Sequence, residues 1–585
     1  MSKVISSIWE DELQAELEEN GIALSDVTVH VLKDGLLWDN PEGFRKRLEG
    51  HIKQMGKAPD ASLNKIRVST VCMSHLDWPT KDTHVYFVIG INDGSKPELL
   101  QPRPSQGSDL KLGPLPTAEY IHRHALDHVR DAKHSPSHAA HLKIYAKRQE
   151  EDRHYMTIEK NTRDVPVTLH SPSFALFQTL AEDGSFVPSA KFLHLTYQFM
   201  RKSTAIYLKG QERPEELSEL LSDVFGRNVL DLKIGRANPD GSVIFDLVYE
   251  KGECQVHELV PLAVIEYKVE PGSGGCDAGV QALAAVEQFW QSDAHRSRAK
   301  EMWCCPTFVI AIDGPWLGVY GCILTDRWIC QPLTGVPHTA IASNLPIGDI
   351  LSVARVFYAL CAAMSDIESR AKVLAASLPR PFRPEMRPAP TRCGDLELEY
   401  AACLGPRRRR TYSAIVVSSG GPEVIKEGQM VVVRFTEKYG REPHEILAKK
   451  GMAPRLLYCG QPYADVAPGY TGLIMVVMEC SPGSRLSSQR PPSPTICAEV
   501  HAAVKVLHQA GYAHGNVTTK TILHLPGRRK VHFLNFDLAG EEGKTYYSVE
   551  LPWWPEKVPA PEGMSPLGPV TKAHDLHYLK HLFPQ

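Results

Sequence analysis

Five prolines crowd the stretch from Ser377 to Gly394: Pro379, Pro381, Pro384, Pro388 and Pro390. Each lacks a backbone N–H, fixes its own φ and pushes the residue before it out of the helical region. No helix or central strand can run through such a segment, so it divides the chain. A length of 585 residues calls for several domains in any case, at about 150 residues each. The reading is an α+β region over 1–150, a middle α/β region over 151–376, a Pro-rich linker over 377–394 and a C-terminal α+β region over 395–585. A second Pro-rich stretch, Gln101 to Pro116, reads as a loop.

Apolar residues make up 43% and charged residues 23%, which suits globular domains and excludes wholesale disorder or a coiled-coil build. With 65 basic and 68 acidic residues the net charge is −3. That excludes a globally basic nucleic-acid coat and leaves room for a local basic groove. The 13 Cys lack paired CxxC spacing, which fits a reducing compartment and offers no zinc framework. The apolar stretches Phe308–Leu324 and Ile350–Met364 carry Asp313 and Arg355, so neither gives about 18 clean apolar residues. The acidic first residues lack the apolar core of a secretory signal. A cytoplasmic or nuclear protein with no membrane partner is expected.

The first 150 residues alternate β-rich runs (VTVHVL, IRVSTVCM, HVYFVIGI) with helical patterns near 42–55 and 117–131. His124 and His128 share a helix face at spacing four, and His134, His138 and His141 follow. Exposed histidines on a polar helix and loop are the plainer reading. Arg407 to Arg410 could serve as a nuclear import signal or a phosphate-binding patch, against a solvated loop.

In the middle region a helix starting at Pro214 ends at Gly226. A short strand (VLDLKI) and a Pro-Asp-Gly turn at 239–241 follow. Strands are expected over Ser242–Tyr249 and Pro261–Val269, then an amphipathic helix over Asp277–Trp290 with Val280, Leu283, Val286, Phe289 and Trp290 on one stripe. Two more strands flank an Asp-Gly-Pro turn. Asp246 sits in an apolar strand. Glu266 and Lys268, two apart, share a strand face. Buried strands rarely hold three ionisable groups without pairing or a metal. Two carboxylates can hold Mg²⁺ through oxygen, and an ammonium can orient a water or stabilise phosphate charge. Glu219 and Gln281 stand on the flanking helices.

This order of elements, with Asp246 and Glu266-Tyr267-Lys268 on neighbouring strands and Gln281 behind them, resembles the PD-(D/E)xK restriction-endonuclease-like fold over about 120 residues. The resemblance implies a metal-dependent nuclease acting on nucleic acid. Asp246 and Glu266 would bind Mg²⁺, with Lys268 and Gln281 beside them. Asp246 lacks a preceding Pro.

After the linker come a strand at Gln429–Phe435, a helix at 442–450, a strand at Leu473–Cys480 and a helix at about 494–510 ending at Gly511. His514-Gly515-Asn516 and Asn535-Phe536-Asp537 follow. The series resembles a short protein-kinase fold, like those in fungal-type kinase and Crinkler-like multidomain proteins. The resemblance sets Arg434, Glu479, Asn516, Asn535 and Asp537 around ATP, and makes His574-Asp575 the buttress of the catalytic loop. Asn516 and Asn535 stand where a kinase needs carboxylates, Thr521 where it needs a metal-binding Asn, and Arg434 where it needs Lys. Ser418-Ser-Gly-Gly421 is a weak stand-in for the Gly-rich loop. These departures predict a pseudokinase module that serves protein partners. An atypical ATP-binding kinase and a non-enzymatic scaffold are the rival readings.

Overall fold

The computed structural model is a multidomain mixed α/β protein with several sheets. It divides into two compact units, Met1–Gly113 and Pro114–Gln585. In the first unit it describes 27–38, 66–69, 83–92 and 99–100. In the second it describes 135–584 apart from 152–155, 158–165, 208–211, 234–237, 252–253, 292–303, 325–327, 336, 341–346, 377–386, 405–409, 421–424, 487–491, 526–529, 550 and 552–557. The helical patterns read at 42–55 and 117–131, His124, His128 and His134, the 101–116 loop, Arg407 to Arg409 and the first half of the Pro-rich linker lie outside the described residues.

The three β-rich runs of the first unit form strands β1 (Val27–Trp38), β2 (Ile66–Ser69) and β3 (Thr83–Asn92), joined by β4 (Leu99–Leu100). Their order is β1-β3-β2-β4.

In the second unit, α1 (Leu142–Glu151) and β5 (Met156–Thr157) lead to α2 (Pro172–Glu182), α3 (Ala190–Ser203) and α4 (Glu212–Phe225). Then come β6 (Gly241–Lys251), β7 (Cys254–Lys268), α5 (Ala278–Gln291), β8 (Thr307–Asp313), β9 (Trp316–Leu324) and β10 (Trp328–Pro332). They build a six-stranded sheet in the order β5-β10-β9-β8-β7-β6, with β7 and β8 parallel. The VLDLKI stretch makes only an isolated bridge, Leu230 to Ser242, among its described residues. Helix α5 buries Leu283, Val286 and Trp290 against this sheet. Each such side chain contributes about 1.5–3 kcal/mol. On other helices, Phe199 and Phe225 meet Phe357 edge to face. Phe357 belongs to α6 (Ile347–Ala376), which extends well past the apolar run read from the sequence. By length and composition α6 could cross a membrane; half of its most apolar window is buried in the protein, where it packs on α2, α3 and β6.

The C-terminal part begins with β11 (Arg392–Cys393), β12 (Leu396–Cys403), β13 (Thr411–Ser419) and β14 (Met430–Thr436). Then follow α7 (Arg441–Lys449), β15 (Leu456–Gly460) and β16 (Ile474–Glu479), giving a sheet in the order β11-β12-β13-β14-β16-β15. A second layer holds β17 (Ser484–Arg485), α8 (Pro494–Gln509), β18 (Tyr512–Ala513), β19 (Ile522–His524), β20 (Val531–Phe533), β21 (Gly540–Glu541) and α9 (Lys572–Leu582).

The Pro-rich segment does not separate two cores. One hydrophobic cluster runs from Val167 and Phe174 through the middle sheet to Tyr412, Tyr463 and Val477. The amide of Ala389 donates to the Leu169 carbonyl at 2.7 Å. The Tyr463 hydroxyl donates to the Thr168 carbonyl, and the Tyr470 hydroxyl meets Thr168 Oγ1 at 2.9 Å.

Candidate functional site

Strands β6 and β7 are antiparallel, with Gly241 opposite Ile265. This register sets Asp240, at the end of the turn, beside Glu266. Asp240 Oδ2 accepts the Tyr267 amide at 2.9 Å, so the turn is tied to the backbone between Glu266 and Lys268. The Tyr267 hydroxyl meets Ser218 of α4 on its other side, at 3.0 Å. Gln281 of α5 bridges the two charged side chains. Its Nε2 donates to Glu266 Oε2 at 2.7 Å, and its Oε1 accepts from Lys268 Nζ at 2.7 Å and from Cys276 Sγ at 3.3 Å.

Glu266 is fully buried. Burial pushes its carboxyl well above the usual range, the neighbouring Asp240 carboxylate pushes it further, and Lys268 works the other way. Its Oε1 meets no fixed N–H or O–H donor, and a hydrogen bond with the Asp240 carboxyl raises the Glu266 pKa further. Two carboxyl groups with one uncapped oxygen and an amine nearby form a polar cluster that a cation or a proton must neutralise. Among the described residues no group of three or more His, Cys, Asp or Glu side chains could hold a metal ion. A cation here would rest on Asp240 and Glu266 and take its other oxygens from solvent or substrate.

Asp246 does not join this cluster. It stands opposite Leu259, seven residues before Glu266, which is about 23 Å along the strand. Its side chain is exposed and bonds His257 Nδ1 at 2.6 Å. The expectation that Asp246 and Glu266 meet is therefore corrected: Glu266, Lys268 and Gln281 come together, and their carboxylate partner is Asp240. Glu219 is exposed on α4. The missed signal was literal, since Pro239-Asp240 precedes Glu266-Tyr267-Lys268 by 25 intervening residues. Its Gly neighbour made it read as a turn.

In the C-terminal part, Arg434 of β14 donates through Nε to Asp537 Oδ1 at 3.0 Å, through Nη2 to Oδ2, and through Nη1 to Thr411 Oγ1 at 3.1 Å. Burial works against the Arg434 charge, but Asp537 more than offsets it and holds the pKa above the ordinary arginine value. Asn535, at φ +60°, sits in the left-handed region that Asn tolerates better than most residues. With its amide nitrogen turned toward Asp537 it donates at 2.9 and 3.2 Å. Asp537 is thus saturated by protein donors. Glu479 is not part of this group; it pairs with Arg455 at 2.8 Å.

The His514-Gly515-Asn516 loop is held from below. Buried Asp575 of α9 accepts from the His514 amide at 2.7 Å, the Gly515 amide at 2.8 Å and His508 Nε2 at 3.0 Å. Gly515 has φ +75°, and a Cβ there would meet Val570 at 2.8 Å and the Leu538 carbonyl at 3.0 Å. The Asn516 carbonyl accepts from Thr521 Oγ1 at 2.8 Å, so Thr521 fastens the loop.

No protein-family model matches this chain, and no curated protein sequence matches it. The Crinkler-like and nuclease resemblances therefore find no support there. Among solved structures, the chain is similar to the Cydia pomonella granulovirus kinase PK-1, with 11% identity and a TM-score of 0.19. The likeness covers 24% of this chain and 55% of that one. So low a score carries no argument about fold or activity.

Proposed function

We propose that the middle sheet carries a Mg²⁺-dependent phosphodiester hydrolase site acting on nucleic acid, joined to a C-terminal kinase-like module that does not transfer phosphate. The observation that carries the first half is that Glu266 and Lys268 meet on Gln281 with Asp240 beside Glu266, one Glu266 oxygen meeting no fixed donor. The donor set is hard oxygen, which suits Mg²⁺. Asp240 and Glu266 would hold the ion, which would supply charge neutralisation at a phosphate oxygen. Holding an ion would favour the ionised form of Glu266, against the burial that raises its pKa. Lys268, steered by Gln281, presents its ammonium to the phosphate and stabilises the charge that builds there. The Tyr267 amide fixes Asp240, so the carboxylates are set before substrate arrives. The test is cleavage of single- and double-stranded DNA and RNA with Mg²⁺ or Mn²⁺. Activity in the wild type and none in Glu266→Ala is expected; equal activity in both would sink the reading.

For the C-terminal module, the Arg434–Asp537 pair favours a pseudokinase over an atypical kinase. To bind Mg²⁺, Asp537 would have to give up its guanidinium and amide donors, and to bind phosphate, Arg434 would have to leave Asp537. The module would then act as a surface for protein partners.

A further inference from the structure

A cross-strand row leads away from the Lys268 end of the site. Lys268 is paired with Asp313, Asp313 with Trp316, and Trp316 with His338 through an isolated bridge. Directly paired residues of neighbouring strands point to one side of a sheet. Lys268 is two residues from Glu266 and shares its face. Trp316 therefore stands on the same face as the carboxylates, two strands and about 10 Å from Lys268.

Trp316 is 42% exposed although it begins a strand whose other residues are mostly buried. Its ring is braced rather than loose. His338 meets it edge to face, at 4.5 Å between centroids and 74° between planes. The segment bearing His338 is pinned. The Thr339 amide donates to the Pro315 carbonyl at 2.7 Å, and Thr339 Oγ1 bonds that carbonyl at 3.0 Å and Ser203 Oγ at 2.7 Å. The Leu317 amide donates to the Pro337 carbonyl at 3.1 Å.

We infer that Trp316 is a stacking platform for one unpaired nucleobase of a strand whose phosphate lies at Lys268. This inference rests on the hydrolase reading of the site and names its substrate class: single-stranded nucleic acid, or an unpaired end or loop. A single exposed Trp is common on protein surfaces. Position separates this one, because His338 braces it and it stands on the face of Glu266 and Lys268, about 10 Å from the amine. A base inside a duplex already stacks on both faces and cannot use the platform, whereas a base in a single strand can.

Binding is measured in the presence of a chelator, so that no strand is cut, with an intact single-stranded oligonucleotide and with one carrying abasic positions. Trp316→Ala is expected to weaken binding of the intact strand about tenfold, Trp316→Phe much less. The abasic strand should bind wild type and Trp316→Ala alike. Equal weakening toward both strands would mean a structural role, and no weakening toward either would mean no stacking; each overturns the inference. Cleavage with Mg²⁺ is scored separately. Base-dependent loss without any cleavage leaves the platform standing and removes the hydrolase. Cleavage without base-dependent loss removes the platform alone.

Discussion

At the residue scale, Asp240 and Asp246 differ in surroundings rather than in chemistry. Asp240 faces a buried carboxyl and a backbone amide; Asp246 faces water and His257. Asp240→Asn should therefore abolish Mg²⁺-dependent cleavage, while Asp246→Asn should leave it within about twofold, since a solvated pair couples weakly to a distant site. Both are read in the cleavage assay. His444 is a second residue whose setting fixes its behaviour. It is buried, stacks on Phe536 at 4.4 Å, accepts from the Tyr439 hydroxyl at 2.7 Å and donates to the Pro454 carbonyl at 2.8 Å. Burial pushes its pKa down to about 4, and the Pro454 bond opposes this only in part. Between pH 6.5 and 4 the unfolded chain takes up a proton that the folded chain refuses. Stability is thus full above the unfolded pKa and lost as pH falls through that window, by about 3 kcal/mol at most. His444→Gln should flatten the dependence of Tm on pH between 7 and 4 in the absence of nucleotide. An unchanged slope would contradict the assignment.

At the element scale, β14 and the Asn-Phe-Asp segment after β20 act as one unit through Arg434 and Asp537. Under the proposed pseudokinase reading that pair leaves neither group free for metal or phosphate, so millimolar Mg-ATP should leave Tm unchanged, where a ligand bound only to the folded state would raise it. Arg434→Ala should lower stability by about 2 kcal/mol in denaturant unfolding, since Asp537 then stays partly buried without its cation. A stabilising shift with Mg-ATP would restore the kinase reading. Elements were also where the sequence was most legible. The helix expected over 214–226 forms at Glu212–Phe225, and the helix expected over 277–290 at Ala278–Gln291. Their apolar periodicity is local and strong. VLDLKI has the composition of a strand, yet its described residues make one bridge, because composition supplies no neighbouring strand to pair with.

At the scale of the whole second unit, one hydrophobic cluster spans the Pro-rich segment, beside a separate cluster around α8 and α9. Unfolding followed by probes on either side of residue 390 should give one coincident transition. Tyr463→Phe, which removes the bond to Thr168, should lower both signals together by about 1 kcal/mol; two separated transitions would show independent modules. A Pro-rich stretch can still lie along a packed surface, as Ala389 does against Leu169. By itself the sequence determined which elements form and in what order, since hydrophobic period and turn chemistry act over a few residues. It also determined that Asn stands at 516 and 535, because residue identity is a property of the chain. Only the tertiary structure decided that Asp240 partners Glu266, that Arg434 closes on Asp537 and that the middle sheet shares its core with the C-terminal one. Those outcomes depend on strand register and on contacts between residues far apart in the chain, where a slip of one position reverses the face on which a side chain stands.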